Sequence, residues 1–180
     1  MEAITCIKER RSVRSFQDKA VDHALLEQVV DAARFAPSWK NTQPARYVVV
    51  EGAKKDELAK AATDAYPHNG EIICQAPALV VVTYVSGRSG FERDGSFSTD
   101  WEDRWEVFDT GIATEAFCLA AHEAGLGTVI MGIFDNKIAA EMIGLEEGRK
   151  VACLIPIGYP AESPAAPRRK EVGDLISFIS

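Results

Sequence analysis

Residues 105–124 constrain the fold more than any other stretch. Trp105, Phe108, Ile112, Ala113, Ala116, Phe117, Leu119, Ala120 and Ala121 recur at helical spacing, and Gly125-Leu126-Gly127 closes the run. A long helix that is apolar around most of its circumference predicts a central, buried element. Its alanine-rich side suits close helix–helix contact, within the chain or across a dimer. The remaining apolar runs are short and rich in β-branched residues. Arg46–Val50, Ala78–Val85, Thr128–Ile133 and Val151–Tyr159 read as strands. The second follows Pro77 and is almost continuously apolar, which predicts burial on both faces. Helical spacing predicts further helices over 2–10, 22–36, about 54–66, near 70–75 and 136–143. Asp22 opens the second of these and Pro37 ends it. Strands and helices alternate, so the expected class is mixed α/β or α+β, with about four or five strands. One domain spanning 1–180 is expected for a chain of this length.

One segment resists this alternation. Residues 86–104 are polar and glycine-rich, yet they carry Phe91, Phe97 and Trp101. So long a connection inside a compact domain is a lid, a binding loop or a disordered stretch. A lid is the expectation, with aromatics that either stack on substrate or anchor the loop to the surface.

Charge and cysteine usage exclude several classes. The chain has 20 Lys+Arg against 27 Asp+Glu, a formal net charge of -7, which argues against a general nucleic-acid binder. No apolar stretch approaches the ~20 residues needed to cross a bilayer, and the first ten residues do not read as a signal peptide. Cys6, Cys74, Cys118 and Cys153 lie far apart in apolar surroundings, so reduced thiols and a cytoplasmic location are expected. His23, His68 and His122 make no metal-ligand spacing, and no metal site is expected.

Against this acidic background, Arg10, Arg11, Ser12 and Arg14 stand together near the start of the chain. Guanidinium forks match phosphate oxygens in a bidentate way, and a serine hydroxyl adds a donor. The cluster reads as an anion site or as a solvated basic turn. A second polar loop, Pro37-Ser38-Trp39-Lys40-Asn41-Thr42-Gln43-Pro44, is held between prolines. Ser38 and Asn41 are common turn formers, and Trp39 suits interface packing equally well. Asn69 precedes Gly70, itself a turn signal.

Four segments in this order resemble the nitroreductase family of FMN-dependent α+β reductases. They are Arg10–Phe16, Ala36–Pro44, the helix Asp109–Ala121 with its Gly125-Leu126-Gly127 end, and Ile155–Pro160 followed by Arg168-Arg169-Lys170. The resemblance implies a central mixed sheet flanked by helices in an intertwined homodimer, with FMN at the interface. It places Arg10 and Ser12 on the FMN phosphate, with Arg169 or the adjacent Arg168 closing on it. Arg11 lies beside the flavin and Arg14 at its pyrimidine edge. Pro37, Ser38, Trp39 and Asn41 reach the same flavin from the other subunit. Asn69 lies on the ring, and Met131 and Gly132 near flavin N5. Ile72 stands where some relatives carry a lysine pointing at the ring, which leaves Arg14 as the main cation there unless Lys40 bends in. The reactive centre is then flavin N5 itself, with no protein catalytic residue. NADH or NADPH is the reductant, and a small planar acceptor such as a nitroaromatic or quinone is the oxidant, in ping-pong order. The same fold and flavin also serve flavin destruction, dehalogenation, enoyl-type redox chemistry, or a low-turnover flavin-binding sensor.

Overall fold

A computed structural model describes residues 2–179. The elements run in the order α1 (Ala3–Glu9), α2 (His23–Ala33), β1 (Ala45–Glu51), α3 (Gly52–Ala62), α4 (Pro67–Gln75), β2 (Ala78–Val85), α5 (Arg104–Glu123), β3 (Gly127–Thr128), α6 (Asn136–Met142) and β4 (Arg149–Gly158). Two short 3-10 turns add Trp39–Asn41 and Val172–Asp174. Asp22 caps α2 through its side chain, accepting from Ala24 N, and Asp135 caps α6 by accepting from Lys137 N and Ile138 N.

The class is α+β. The strands form one sheet in the order β1-β2-β4-β3 with every ladder antiparallel. The expected mixed character reduces to a single parallel bridge, Ser12 to Thr128. The third strand is shorter than expected. Only Gly127–Thr128 pairs as a ladder, and the chain touches the sheet again at the Met131–Leu154 bridge. Val129 and Met131 still point inward, whereas Ile130 and Ile133 face outward at the unpaired edge.

β2 is central, and Ala78 through Tyr84 are all buried, in line with its nearly continuous apolar run. Alternate residues feed two cores. Leu79 and Val81 pack with Leu58, Ile73, Ala139 and Leu154 under α3, α4 and α6. Ala78, Val80 and Val82 pack with Leu26, Val29, Phe117, Cys118 and Ile155 under α2 and α5. Each fully buried Leu, Ile or Phe stabilises the fold by about 1.5–3 kcal/mol. A register shift between Val82 and Thr83 then puts Val151 of β4 in the first core and Cys153 in the second.

The long helix α5 departs from the expectation of burial all round. Its inner face is Glu106, Asp109, Thr110, Ala113, Thr114, Phe117, Cys118 and Ala121. Val107 and Phe108 on the outer face are 53% and 46% exposed within one chain. The two buried threonines donate to helix carbonyls one turn back, Thr110 to Glu106 O and Thr114 to Thr110 O.

The arginine-rich segment is welded to the sheet edge. Val13 N donates to Thr128 O at 2.9 Å, Gln17 N to Tyr159 O at 2.8 Å, and Ala161 N to Ser15 O at 2.9 Å. Val13 and Phe16 enter the first core beside this edge. Gly158 is the close-approach point, since a Cβ there would sit 2.5 Å from Pro77 Cδ and 3.2 Å from Phe16 Cδ1. Replacing Gly158 with Ala therefore overpacks backbone-anchored groups. The expected loss is about 1–3 kcal/mol, lowering the melting temperature by roughly 3–10 °C in calorimetry. A second expectation concerns the thiols. Burial pushes Cys118 up to about 11 and Cys153 up to about 12. Alkylation of the native protein near pH 8 should label exposed Cys74 and spare Cys118 and Cys153 until the chain unfolds.

Candidate functional site

Arg10 forms the C-cap of α1, its N–H donating to Cys6 O. Arg11 folds back, with Nη1 donating to Lys8 O at 2.7 Å and Arg10 O at 2.8 Å, which satisfies carbonyls at the helix end. Ser12 is held against Thr128 by the parallel bridge. Beyond it, Arg14 N and Ser15 N both donate to Glu162 Oε1, at 2.6 and 3.1 Å. A carboxylate on two successive backbone N–H groups pins this turn and leaves the Arg14 side chain exposed. Arg10 Nε is buried and donates no hydrogen bond among the described residues, though Glu115 Oε1 lies 3.4 Å away. Arg10 and Arg11 line a cavity of about 210 Å³ with His122, Gly127, Glu162 and Ser163. Arg10 is thus ion-paired with Glu115 and also borders a cavity, where its remaining guanidinium N–H groups fit an anion.

Asn69 and the 131–133 stretch join this same side of the sheet. Asn69 Nδ2 donates to Ile133 O at 3.0 Å. Met131 spends both backbone groups on Leu154, so it fixes the strand rather than offering a donor. Gly132 is exposed, and apart from its own chain neighbours no atom lies within 4 Å of the position its Cβ would take. This openness leaves room for a planar group against the backbone. Ile72 is 3% exposed and part of the first core, so that turn of α4 brings no cation to the site.

The second half lies elsewhere. Pro37–Pro44 leads into β1, the edge strand opposite β3. Lys40, Asn41 and Gln43 have φ of 43°, 56° and 46°, left-handed backbone that costs L residues roughly 1–2 kcal/mol each. Ser38 accepts from Gln43 N at 2.9 Å through Oγ, so its hydroxyl works as a loop clasp. Trp39 N donates to Asp109 Oδ2 at 2.8 Å, and Asp109 is 3% exposed. Thr42 Oγ1 lies 2.7 Å from Ser89 Oγ, and Lys40 Nζ donates to Glu92 at 3.0 and 3.1 Å. The Ser98 hydroxyl, then Lys40, hold the Glu92 carboxyl below the usual carboxylate range. The Trp39 ring packs tilted, at 48° and 4.9 Å between centroids, against Trp105, which also touches Trp101 and Phe108. The Trp39 indole Nε1 is buried without a partner among the described residues.

Two buried carboxylates were hidden in the sequence. Glu106 and Asp109 sit one turn apart on the inner face of α5, where only their helical spacing from Ala113 and Phe117 marks them as core-facing. Glu106 accepts from Gly87 N at 2.5 Å and Ser86 Oγ at 3.2 Å. Glu162 was equally unmarked, because its donors are backbone groups far away in sequence.

The sequence-derived residues thus fall into three groups. Arg10, Arg11, Ser12, Arg14, Asn69, Met131 and Gly132 gather along the β3 side. Pro37, Ser38, Trp39 and Asn41 gather at the β1 side, and no hydrogen bond or ion pair among the described residues joins the two groups. Arg168 and Arg169 join neither, because residues 161–171 run extended and mostly exposed, and Arg169 Nη1 donates only to Pro167 O. A cleft of about 820 Å³ opens between α2, Pro37, Ser38 and β1, with Asp109 and Ala113 among its lining. Tyr47 lines it as well, donating to Ala113 O at 3.2 Å, and burial pushes this phenol up to about 12.

Comparison with known proteins matches this architecture. A Methanothermobacter thermautotrophicus protein with the provisional name NADH dehydrogenase/NAD(P)H nitroreductase is 31% identical over 168 residues, covering 91% of this chain and 80% of that one. The FMN reductase [NAD(P)H] of Bacillus subtilis is 27% identical, covering 91% of this chain and 68% of its own length. The crystal structure of a provisionally assigned nitroreductase from Desulfovibrio desulfuricans, solved in complex with FMN, superposes with a TM-score of 0.76 at 25% identity, covering 100% of this chain and 98% of that one. Residues 7–159 match the sequence pattern of the nitroreductase family, and they hold both halves of the site except the two C-terminal arginines; the chain belongs to that family.

Proposed function

We propose that the chain is a single-domain FMN-dependent NAD(P)H oxidoreductase. It reduces small planar acceptors such as nitroaromatics or quinones, and it works as an intertwined homodimer with each flavin shared between two copies. The observation that carries this is the division of the site. One edge of the sheet carries Arg10 and Arg11 beside a cavity, with Asn69 and open Gly132, and the other carries the 37–44 loop, which no hydrogen bond or ion pair among the described residues joins to the first edge. The relatives named for FMN and NAD(P)H support the cofactor and the reductant.

The residues present fit FMN. Arg10, through the guanidinium N–H groups beyond its Glu115 ion pair, and Ser12 hold the dianionic phosphate by charge-assisted hydrogen bonds. Arg168 or Arg169 comes to the same phosphate once the extended segment is ordered in a dimer. Arg14, anchored through its backbone by Glu162, places positive charge at the pyrimidine edge, with Arg11 beside the ring. Asn69 has its amide nitrogen committed to Ile133 O, so its carbonyl end serves the ring. Met131 fixes the strand, and Gly132 lets the ring approach the backbone near N5. Pro37, Ser38, Trp39 and Asn41 of the second copy complete the wall. When bound, FMN supplies a ring that takes a hydride from NADH or NADPH and passes two electrons on. Arg14 stabilises negative charge at the pyrimidine edge, most strongly where water is excluded. The wall residues admit nicotinamide and then acceptor to one ring face, which gives ping-pong kinetics. No protein nucleophile is needed, and the acceptor's protons come from solvent.

The dimer draws support from exposed apolar surface. Ile4 and Ile7 on α1, Val107 and Phe108 on α5, and Val172, Leu175, Phe178 and Ile179 in the tail are 46–98% exposed in one chain. That density of apolar side chains in one tail suits burial in a second copy, and the 820 Å³ cleft offers space for it. A cytoplasmic location accords with four free cysteines. Among the described residues no helix is long and apolar enough to cross a membrane.

Three measurements test this. Arg10→Ala should weaken FMN binding by about 1.5–3 kcal/mol, a ten- to hundredfold rise in Kd by fluorescence quenching; unchanged affinity places the phosphate elsewhere. Truncation after Glu171 should weaken the dimer at least about tenfold in sedimentation equilibrium and reduce FMN retention; an unchanged dimer removes the tail from the interface. Enzyme reduced anaerobically with NAD(P)H should be reoxidised faster by a nitroaromatic or quinone than by air-saturated buffer. If oxygen reoxidises it faster than every such acceptor, the chemistry is another one on the same fold.

A further inference from the structure

We propose that residues 86–104 are a brace for the 37–44 loop, with Ser89 and Glu92 as positioning residues of the flavin site; this rests on the assignment of that loop to the flavin made above. The loop carries three left-handed non-glycine residues within four positions, Lys40, Asn41 and Gln43. A backbone of this kind keeps one shape only where its surroundings over-determine it. The loop's own bonds are few: Asn41 N to Ser38 O, Thr42 N to Trp39 O, and Gln43 N to Ser38 Oγ. The rest comes from outside.

Three contacts from the 86–105 region meet Trp39, Lys40 and Thr42 of the loop. Ser89, with 0% exposure, places Oγ 2.7 Å from Thr42 Oγ1. Glu92 takes the Lys40 ammonium through both oxygens, at 3.0 and 3.1 Å. The Trp105 ring packs on Trp39, with Trp101 behind it at 5.2 Å. The bracing segment is itself tied shut. Phe91 bridges to Phe97, Glu92 N donates to Ser96 O, and Ser98 N donates to Gly90 O. Gly90, at φ +87°, lies directly against the Glu102 carbonyl, where a Cβ would collide. Its far end continues into α5, whose Glu106 holds Ser86 and Gly87 and whose Asp109 holds Trp39. The segment and the loop therefore hang from one helix and lock to each other at their tips. Glu92 also commits the Lys40 ammonium, so Arg14 is left as the cation for the pyrimidine edge.

The full-length chain tests the brace with Ser89→Ala, Glu92→Lys and the charge swap Lys40→Glu/Glu92→Lys. Amide exchange in the FMN-free protein is read at Trp39 and Gln43, whose N–H groups are bonded only in the ordered loop, with the β2 amides as the fold control. FMN affinity is read in low salt and at about 1 M salt, where exposed charge pairs are screened. The brace predicts about tenfold faster exchange at both loop amides in each single variant, unchanged β2 protection, and about a tenfold rise in FMN Kd. It predicts recovery of both in the charge swap. High salt should narrow the gap between wild type and Glu92→Lys and leave that for Ser89→Ala. Unchanged exchange at Trp39 and Gln43 overturns the brace, and so does loosened exchange with unchanged FMN affinity. If wild-type protein takes up no FMN, the flavin assignment fails and the exchange rates alone decide the brace.

Discussion

A carboxylate taken out of water must find donors, and Asp109 finds its donor in the backbone of Trp39. That bond crosses 70 residues of sequence and fastens the 37–44 loop to the central helix. One turn earlier, Glu106 does the same for Ser86 and Gly87. A helix that reads as an apolar spine is therefore also the anchor for two polar segments, and the loop's left-handed backbone is tolerable because of it. Removing a buried acceptor of this kind leaves a donor stranded, at a cost of about 1–3 kcal/mol.

The opposite edge of the sheet is organised by a matching device. Glu162, just past β4, accepts from Arg14 and Ser15 backbone N–H groups and sets the arginine segment in register with Thr128. Asp109 and Glu162 thus fasten the two groups of residues at opposite edges of a four-stranded sheet. Exposed apolar side chains on α1, α5 and the tail lie on the same chain as these two separate groups. In the proposed dimer, association completes the site and covers that surface in one event, which links cofactor binding to dimer stability.

Much of this was legible in the sequence for identifiable reasons. The run Ala78–Val85 is apolar at every buried position except Thr83, so it could be placed within a residue. Arg10, Ser12 and Arg14 stood out because the rest of the chain is acidic. The buried acids did not stand out, since a charge on an apolar helix looks like its solvent face until the distant donors are known. The third strand was overdrawn for the opposite reason: Val129 to Ile133 alternates correctly, but past Thr128 only Met131 pairs with β4, at Leu154. Residues 86–104 defied reading because their order comes from Gly90, a two-phenylalanine bridge and contacts with a loop some 50 residues away, none of which has a periodicity. Arg168 and Arg169 were named by resemblance alone, and a single chain brings them to nothing.

The sharing of the flavin between subunits is the central claim, and a mixed dimer tests it most directly. One chain would carry Arg10→Ala with Ser12→Ala, and its differently tagged partner would carry Trp39→Ala with Asn41→Ala. Each homodimer should lose FMN. The purified heterodimer should show one FMN per dimer by its visible spectrum, because one site draws both intact halves and the other draws both damaged ones. A heterodimer with no bound FMN would place each site within a single chain and contradict the account.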